Sequence, residues 1–137
     1  MNIVVDVNVV LSALIKDAKT REILLTSGFA FYFPESSLHK IRKYKDYIVK
    51  KSGLREEDYL LAYGALFQHI TLISLEELQK KWEEAKKIME HIDPEDVNFV
   101  AAVLSIDDAV LWSDDTHFER QNTIRVLKMN DILKLLG

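Results

Sequence analysis

Three aspartates carry the clearest chemistry in the chain. Asp6 ends one apolar run and Asp115 follows another, while Asp96 stands at a predicted helix start, 90 residues after Asp6 and 19 before Asp115. Drawn together by folding, three carboxylates repel one another and resist ionisation unless a cation compensates them. Mg²⁺ or Mn²⁺ supplies that compensation, since either ion prefers oxygen ligands and retains several waters. Such a site suits phosphodiester hydrolysis without a catalytic histidine, because the ion activates a water and neutralises charge at phosphorus. One ion is the simpler expectation; a second, roughly 3.5 to 4 Å away, stays open.

Neighbouring polar residues fit the same scheme. Asn8 offers an amide oxygen two residues beyond Asp6, and Ser113 a hydroxyl two before Asp115 that can fix a carboxylate rotamer. Asp114 is a further polar neighbour. Each acid also has a purely structural reading: Asp6 as a strand stop, Asp96 as a first-turn acid, Asp115 as a helix N-cap. Lys40, Arg42, Lys43, Lys45, Lys50 and Lys51, interleaved with Tyr44 and Tyr47, form a basic strip. Lys40 and Lys43 are its candidates for nucleic-acid contact, although a solvated helix surface is the more common explanation of such a strip. His39, His69, His91 and His117 show no paired ligand spacing, and none is assigned to zinc.

The elements that must position these residues are short β-branched or aromatic runs alternating with helical periods, the pattern of an α/β fold with a largely parallel sheet. Strands are expected at Ile3–Asp6, Phe29–Phe33, Ile70–Ile73, Ala109–Trp112 and Thr123–Val126. In open parallel sheets ligands bind beyond the carboxyl ends of strands, which is where Asp6 and Asp115 fall. One helix is expected from about Ser36 to Ser52, with Leu38, Ile41, Lys45 and Ile48 in its inward stripe. Leu60, Leu61, Gly64 and Phe67 suggest a second. Leu75, Leu78, Trp82, Ala85 and Met89 mark a third, opened by Ser74 and Glu77. Asp93 reads as the N-cap of a fourth, with Pro94 in its first turn and Val97, Val100, Ala101 and Leu104 facing inward.

At 137 residues the chain suits one domain, residues 1–137, and 48% hydrophobic with 29% charged residues is ordinary for a globular protein. A net charge of −4 excludes the broad basic field of a non-specific nucleic-acid coat. The absence of cysteine excludes disulfide scaffolds, thiolate zinc sites and thiol nucleophiles. No run approaches membrane-spanning length and no leader pattern opens the chain, so a cytoplasmic protein without membrane contact is expected. Gly-rich phosphate loops, nucleophile elbows and dinucleotide fingerprints are absent from the sequence.

Four segments carry a family resemblance: Val-Val-Asp-Val-Asn-Val at the N-terminus, Phe-Pro-Glu-Ser after the second strand, Asp-Pro-Glu-Asp-Val-Asn-Phe-Val-Ala-Ala, and Leu-Trp-Ser-Asp-Asp-Thr-His-Phe. Through them the chain resembles, end to end, the PIN-domain proteins, the ribonuclease fold of VapC-type toxins. The resemblance implies an α/β/α sandwich with a five-stranded parallel sheet, a Mg²⁺ or Mn²⁺ site and single-stranded RNA as substrate. It also implies a homodimer and the toxin role in a toxin–antitoxin pair, with an antitoxin protein as partner. Asp6, Asp96 and Asp115 match the family's acids; Asn8 and Ser113 match its neighbouring polar positions. Lys40 stands where the family usually carries a glutamate, so a second reading is a catalytically degenerate PIN module that binds RNA or a protein. A third, a receiver-like domain with a phosphoacceptor aspartate, wants an acid adjacent to Asp6 that the chain lacks.

Overall fold

The computed structural model describes residues 1–15 and 17–137. Five parallel strands form one sheet in the order β3-β2-β1-β4-β5: β1 (Asn2–Val5), β2 (Ala30–Pro34), β3 (Ile70–Ile73), β4 (Ala109–Trp112) and β5 (Val126–Leu127). The first crossover holds α1 (Val7–Ile15) and α2 (Ala18–Thr26), and the second α3 (Leu38–Lys43), α4 (Lys45–Ser52) and α5 (Glu56–Gln68). The third holds α6 (Leu75–Gln79), α7 (Trp82–Met89) and α8 (Val97–Leu104), and α9 (Met129–Leu135) follows β5. Helix α1 packs on α2, α4 and α5, while α8 lies against β1, β2 and β4 with α6 and α7 beside it. The result is the expected α/β/α sandwich.

Ile3, Val4 and Val5 are fully buried, as an apolar run in a strand covered on both faces requires. The chain lays β2 and β3 to one side of β1 and then returns to lay β4 on the other. The ends of β1 and β4 therefore meet at the switch point where such sheets bind ligands. Val5 pairs with Trp112, and the Asp6 N–H extends the ladder by donating to the Trp112 carbonyl at 3.1 Å. That register sets Asp6 beside Ser113.

Several sequence expectations shift. The single helix expected over 36–52 is a 3₁₀ turn, Glu35–Ser37, followed by α3 and α4 broken at Tyr44 (φ −96°, ψ 10°). The break buries both Ile41 and Ile48 and turns Lys45, expected in the inward stripe, out to pair with Glu56. Gly53, left-handed at φ 72°, then ends α4. The helix expected through Leu75 and Met89 is likewise two, α6 and α7, divided at Lys80 and Lys81, with Leu78, Ala85 and Met89 buried but Leu75 exposed. Helix α5 forms with Leu60 and Leu61 facing water. The last strand is Val126–Leu127 rather than Thr123–Val126, because the Gln121 side-chain oxygen accepts from the N–H groups of Thr123 and Ile124, at 2.9 Å each, and holds them in a turn. Among the described residues no helix is long and apolar enough to cross a membrane.

Candidate active site

A cleft of about 240 Å³ opens beyond the ends of β1 and β4, and Asp6, Asn8, Lys40, Asp93, Asp96 and Asp115 all line it. Asp6 is placed by the strand register and fixed by two hydrogen bonds. The Val7 N–H donates to its Oδ1 and the Ser113 hydroxyl to its Oδ2, both at 2.7 Å. Ser113 is itself fully buried and accepts from the Asp115 N–H at 3.0 Å, so one hydroxyl couples the first acid to the loop carrying the last. Asp115 then caps the 3₁₀ turn Thr116–Arg120, accepting from the His117 N–H at 2.9 Å.

Asp96 is held differently. It ends the 3₁₀ turn Pro94–Asp96 that leads into α8, where Asp93 is the N-cap and accepts from the Glu95 N–H at 3.0 Å. Its Oδ2 is buried and has no hydrogen-bond partner. The Ser36 hydroxyl donates to Asn98 Oδ1 at 2.9 Å, which ties the turn ahead of α3 to α8. Lys40, on α3, points into the cleft and lies 3.5 Å from Glu95.

The electrostatics follow from this crowding. Burial raises the Asp6 carboxyl above its ordinary value; the Ser113 and Val7 hydrogen bonds oppose that rise, Asp115 adds to it and Lys40 subtracts. Asp96 is pushed up to about 7, by burial first and then by repulsion from Asp93, Asp6 and Asp115, with Lys40 again opposing. Two buried acids that resist ionisation, one with an unpartnered oxygen, suit a divalent cation.

The sequence-expected residues divide. Asp6, Asn8, Lys40, Asp96 and Asp115 share the cleft, and Ser113 supports it from behind. Asp114 points away, accepting from the Met129 N–H at 3.2 Å at the start of α9, and Lys43 lies outside the cleft with its ammonium over the Tyr44 ring. Sequence reasoning missed two members. Among the described residues, Asp93, Asp96 and His117 bring ligand atoms within 4.8 Å of one another. His117 Nδ1 stands 3.2 Å from Asp93, 3.7 Å from Asp96 and 3.5 Å from Asp115. The available signal was that Asp93 and His117 sit three and two residues from expected site acids across tight turns.

These donors fit a divalent ion. The carboxylates of Asp6, Asp93, Asp96 and Asp115 are hard oxygen ligands, and the His117 imidazole extends the set toward Mn²⁺.

The family model described as PIN domain matches residues 4–129. No curated protein matches the chain. The family match begins inside β1, runs past β5 and takes in every residue of the cleft, and with it the chain belongs to the PIN-domain family, whose members are generally nucleases.

Proposed function

We propose that this protein is a metal-dependent endoribonuclease that hydrolyses phosphodiester bonds in single-stranded RNA, with Asp6, Asp96 and Asp115 as its essential acids. One observation carries the reading: three acids remote in sequence line one cleft, and the most crowded, Asp96, keeps a buried oxygen without a partner. A bound Mg²⁺ or Mn²⁺ would polarise the phosphate and lower the pKa of an attacking water. The chain's own residues prepare the site. Ser113 and the Val7 amide lock the Asp6 rotamer, His117 Nδ1 stands within 3.2 to 3.7 Å of the carboxylates of Asp93, Asp96 and Asp115, and Lys40 presents its ammonium to a non-bridging phosphate oxygen. Tyr44 and Tyr47, both exposed beside the lysines of α3 and α4, offer stacking surfaces for a single strand.

Purified protein with single-stranded RNA tests the reading. Cleavage is expected in Mg²⁺ or Mn²⁺, with loss in chelator and in Asp6→Asn; robust cleavage in either of the last two overturns it. The resemblance further supports a cytoplasmic toxin held by an antitoxin. The outward pair Leu60 and Leu61 on α5 supports a second protein surface there, that of a homodimer mate or the antitoxin.

A second reading has its own observation. Lys40 places a fixed positive charge in the cleft where the resemblance leads one to expect a glutamate, and it opposes the ion the acids invite. On that reading the protein is a degenerate PIN module that binds RNA or a protein without cleaving it. Lys40→Glu decides: Mn²⁺ binding that appears only in the variant favours degeneracy, and tight binding by the unaltered chain removes it.

A further inference from the structure

A second cavity, also about 240 Å³, lies on the other side of Asn8 and Asp115, which line both spaces. Its walls are the outward face of α1 at Asn8 and Ser12, the start of α2 at Asp17 and Thr20, and Asp114 with Met129 where β5 passes into α9. The volume falls below that of drug-sized pockets and suits a single planar ring system with one wall of apolar side chain.

The chemistry of the lining is acceptor-rich. Asp17 is held ionised, its carboxyl below the usual range chiefly because the Thr20 N–H donates to it. Asp114 commits Oδ1 to the Met129 N–H, and its second oxygen has no donor among the described residues. A phosphate is disfavoured beside these carboxylates, whereas a neutral ring bearing N–H donors is favoured. Among nucleobases, adenine, cytosine and guanine carry an exocyclic amino donor, and uracil presents carbonyl acceptors in its place.

We propose that this cavity receives the base of the nucleotide adjoining the phosphate in the acidic cleft, and that it selects bases with an exocyclic amino group against uracil. The proposal rests on the nuclease reading for its substrate, and the geometry supplies the link. A strand whose phosphate reaches Asp6 and Asp96 needs to cross only the ridge of Asn8 and Asp115 to seat its next base. Asn8 and Ser12, four residues apart on one face of α1, present polar groups along that path.

Two measurements test this. In the first, single-stranded oligoribonucleotides differing only in an A, C, G or U within a fixed sequence are cleaved in Mn²⁺. Bonds beside A, C or G are expected to be cut about tenfold faster than those beside U, the discrimination of one well-placed polar contact. Ser12→Phe, which fills the cavity, brings the four within about twofold. Asp114→Asn keeps an oxygen for Met129 and adds an amide donor, so it shifts preference toward U and serves if the bulkier variant does not fold. Equal rates in the unaltered protein, or a preference untouched by both variants, overturn the proposal while leaving the nuclease reading intact. In the second measurement, metal-free protein is titrated with cytidine and with uridine and its amide resonances are followed. Shifts at Asn8, Ser12 and Thr20 that cytidine produces and uridine does not support the pocket even if no RNA is cleaved. Identical responses to the two nucleosides, including none to either, overturn it.

Discussion

The two cavities flanking Asn8 and Asp115 are of equal size and both are lined by aspartates, yet Asp17 in one and Asp6 and Asp96 in the other are shifted in opposite directions. In the second cavity Asp17 and Asp114 each accept a backbone N–H at the start of a helix, and Asp17 is drawn below its ordinary pKa. In the cleft, burial and mutual repulsion raise Asp6 and Asp96, and Asp96 finds no donor for Oδ2. A helix N-terminus has four N–H groups to satisfy, and an acid that meets them is stabilised. An acid buried among other acids resists ionisation until something positive joins it, even when, like Asp6, it accepts the first N–H of α1 and a hydroxyl, and all the more when, like Asp96, it has an oxygen without a donor. What distinguishes the cleft is therefore burial and crowding of its acids, not the lack of a capped N–H.

The largest expected effect is catalytic. Asp6→Asn removes a charge from the cleft, and cleavage is expected to fall on the order of a thousandfold, the scale of losing a principal electrostatic group. The next is thermodynamic and has an unusual sign. Asp96 has a folded-state pKa of about 7 against an unfolded value of 3.8. Its contribution to stability is therefore fully present below pH 3.8 and lost as pH rises through about 7. In chelator, the protein is expected to lose about 1 kcal/mol between pH 5.5 and 8 that Asp96→Asn does not lose, roughly half of what the full shift gives over that window, the remainder being discounted for residual solvent access. Urea denaturation of both proteins at the two pH values measures this, and parallel pH dependences would remove the claim that Asp96 is strained.

Much of this contrast was legible in the sequence, and the rest was hidden for identifiable reasons. The ends of β3 and β4 agree with expectation because their apolar runs are bounded by His69 and Ser74, and by Asp108 and Ser113. Asp6, Asp96 and Asp115 could be singled out because strand ends and helix starts converge at a switch point whatever the loops do. The roles of Asp93 and His117 were illegible, since an N-cap reading satisfied Asp93 and no spacing rule joins residues 93, 96 and 117 before the fold closes. Breaks at Tyr44 and at Lys80 were hidden because the helical spacing continues through them, with Lys45 the one polar member of the first stripe. Asp115 was favoured over Asp114 by its spacing from Ser113 in the resemblance, but nothing local showed where Asp114 would go: it accepts from the Met129 amide, 15 residues on, and faces away from the cleft.

The smallest effect sharpens the comparison from its quiet side. Asp17 caps α2 through the Thr20 N–H at 3.1 Å, so Asp17→Ala should lower stability by about 1 kcal/mol, as N-cap removals typically do. Because its folded pKa lies below the unfolded value, its contribution is present at every pH above about 4 and fades only as the solution is acidified through the folded pKa. The loss in Asp17→Ala is therefore expected to be equal at pH 5.5 and pH 8, where Asp96→Asn gives two different answers. Denaturation curves for the two variants under the same conditions set a cap against a crowded acid. A pH-dependent penalty in Asp17→Ala over that range would mean that the second cavity is electrostatically coupled to the cleft across Asp115 and that the two sets of acids cannot be treated separately.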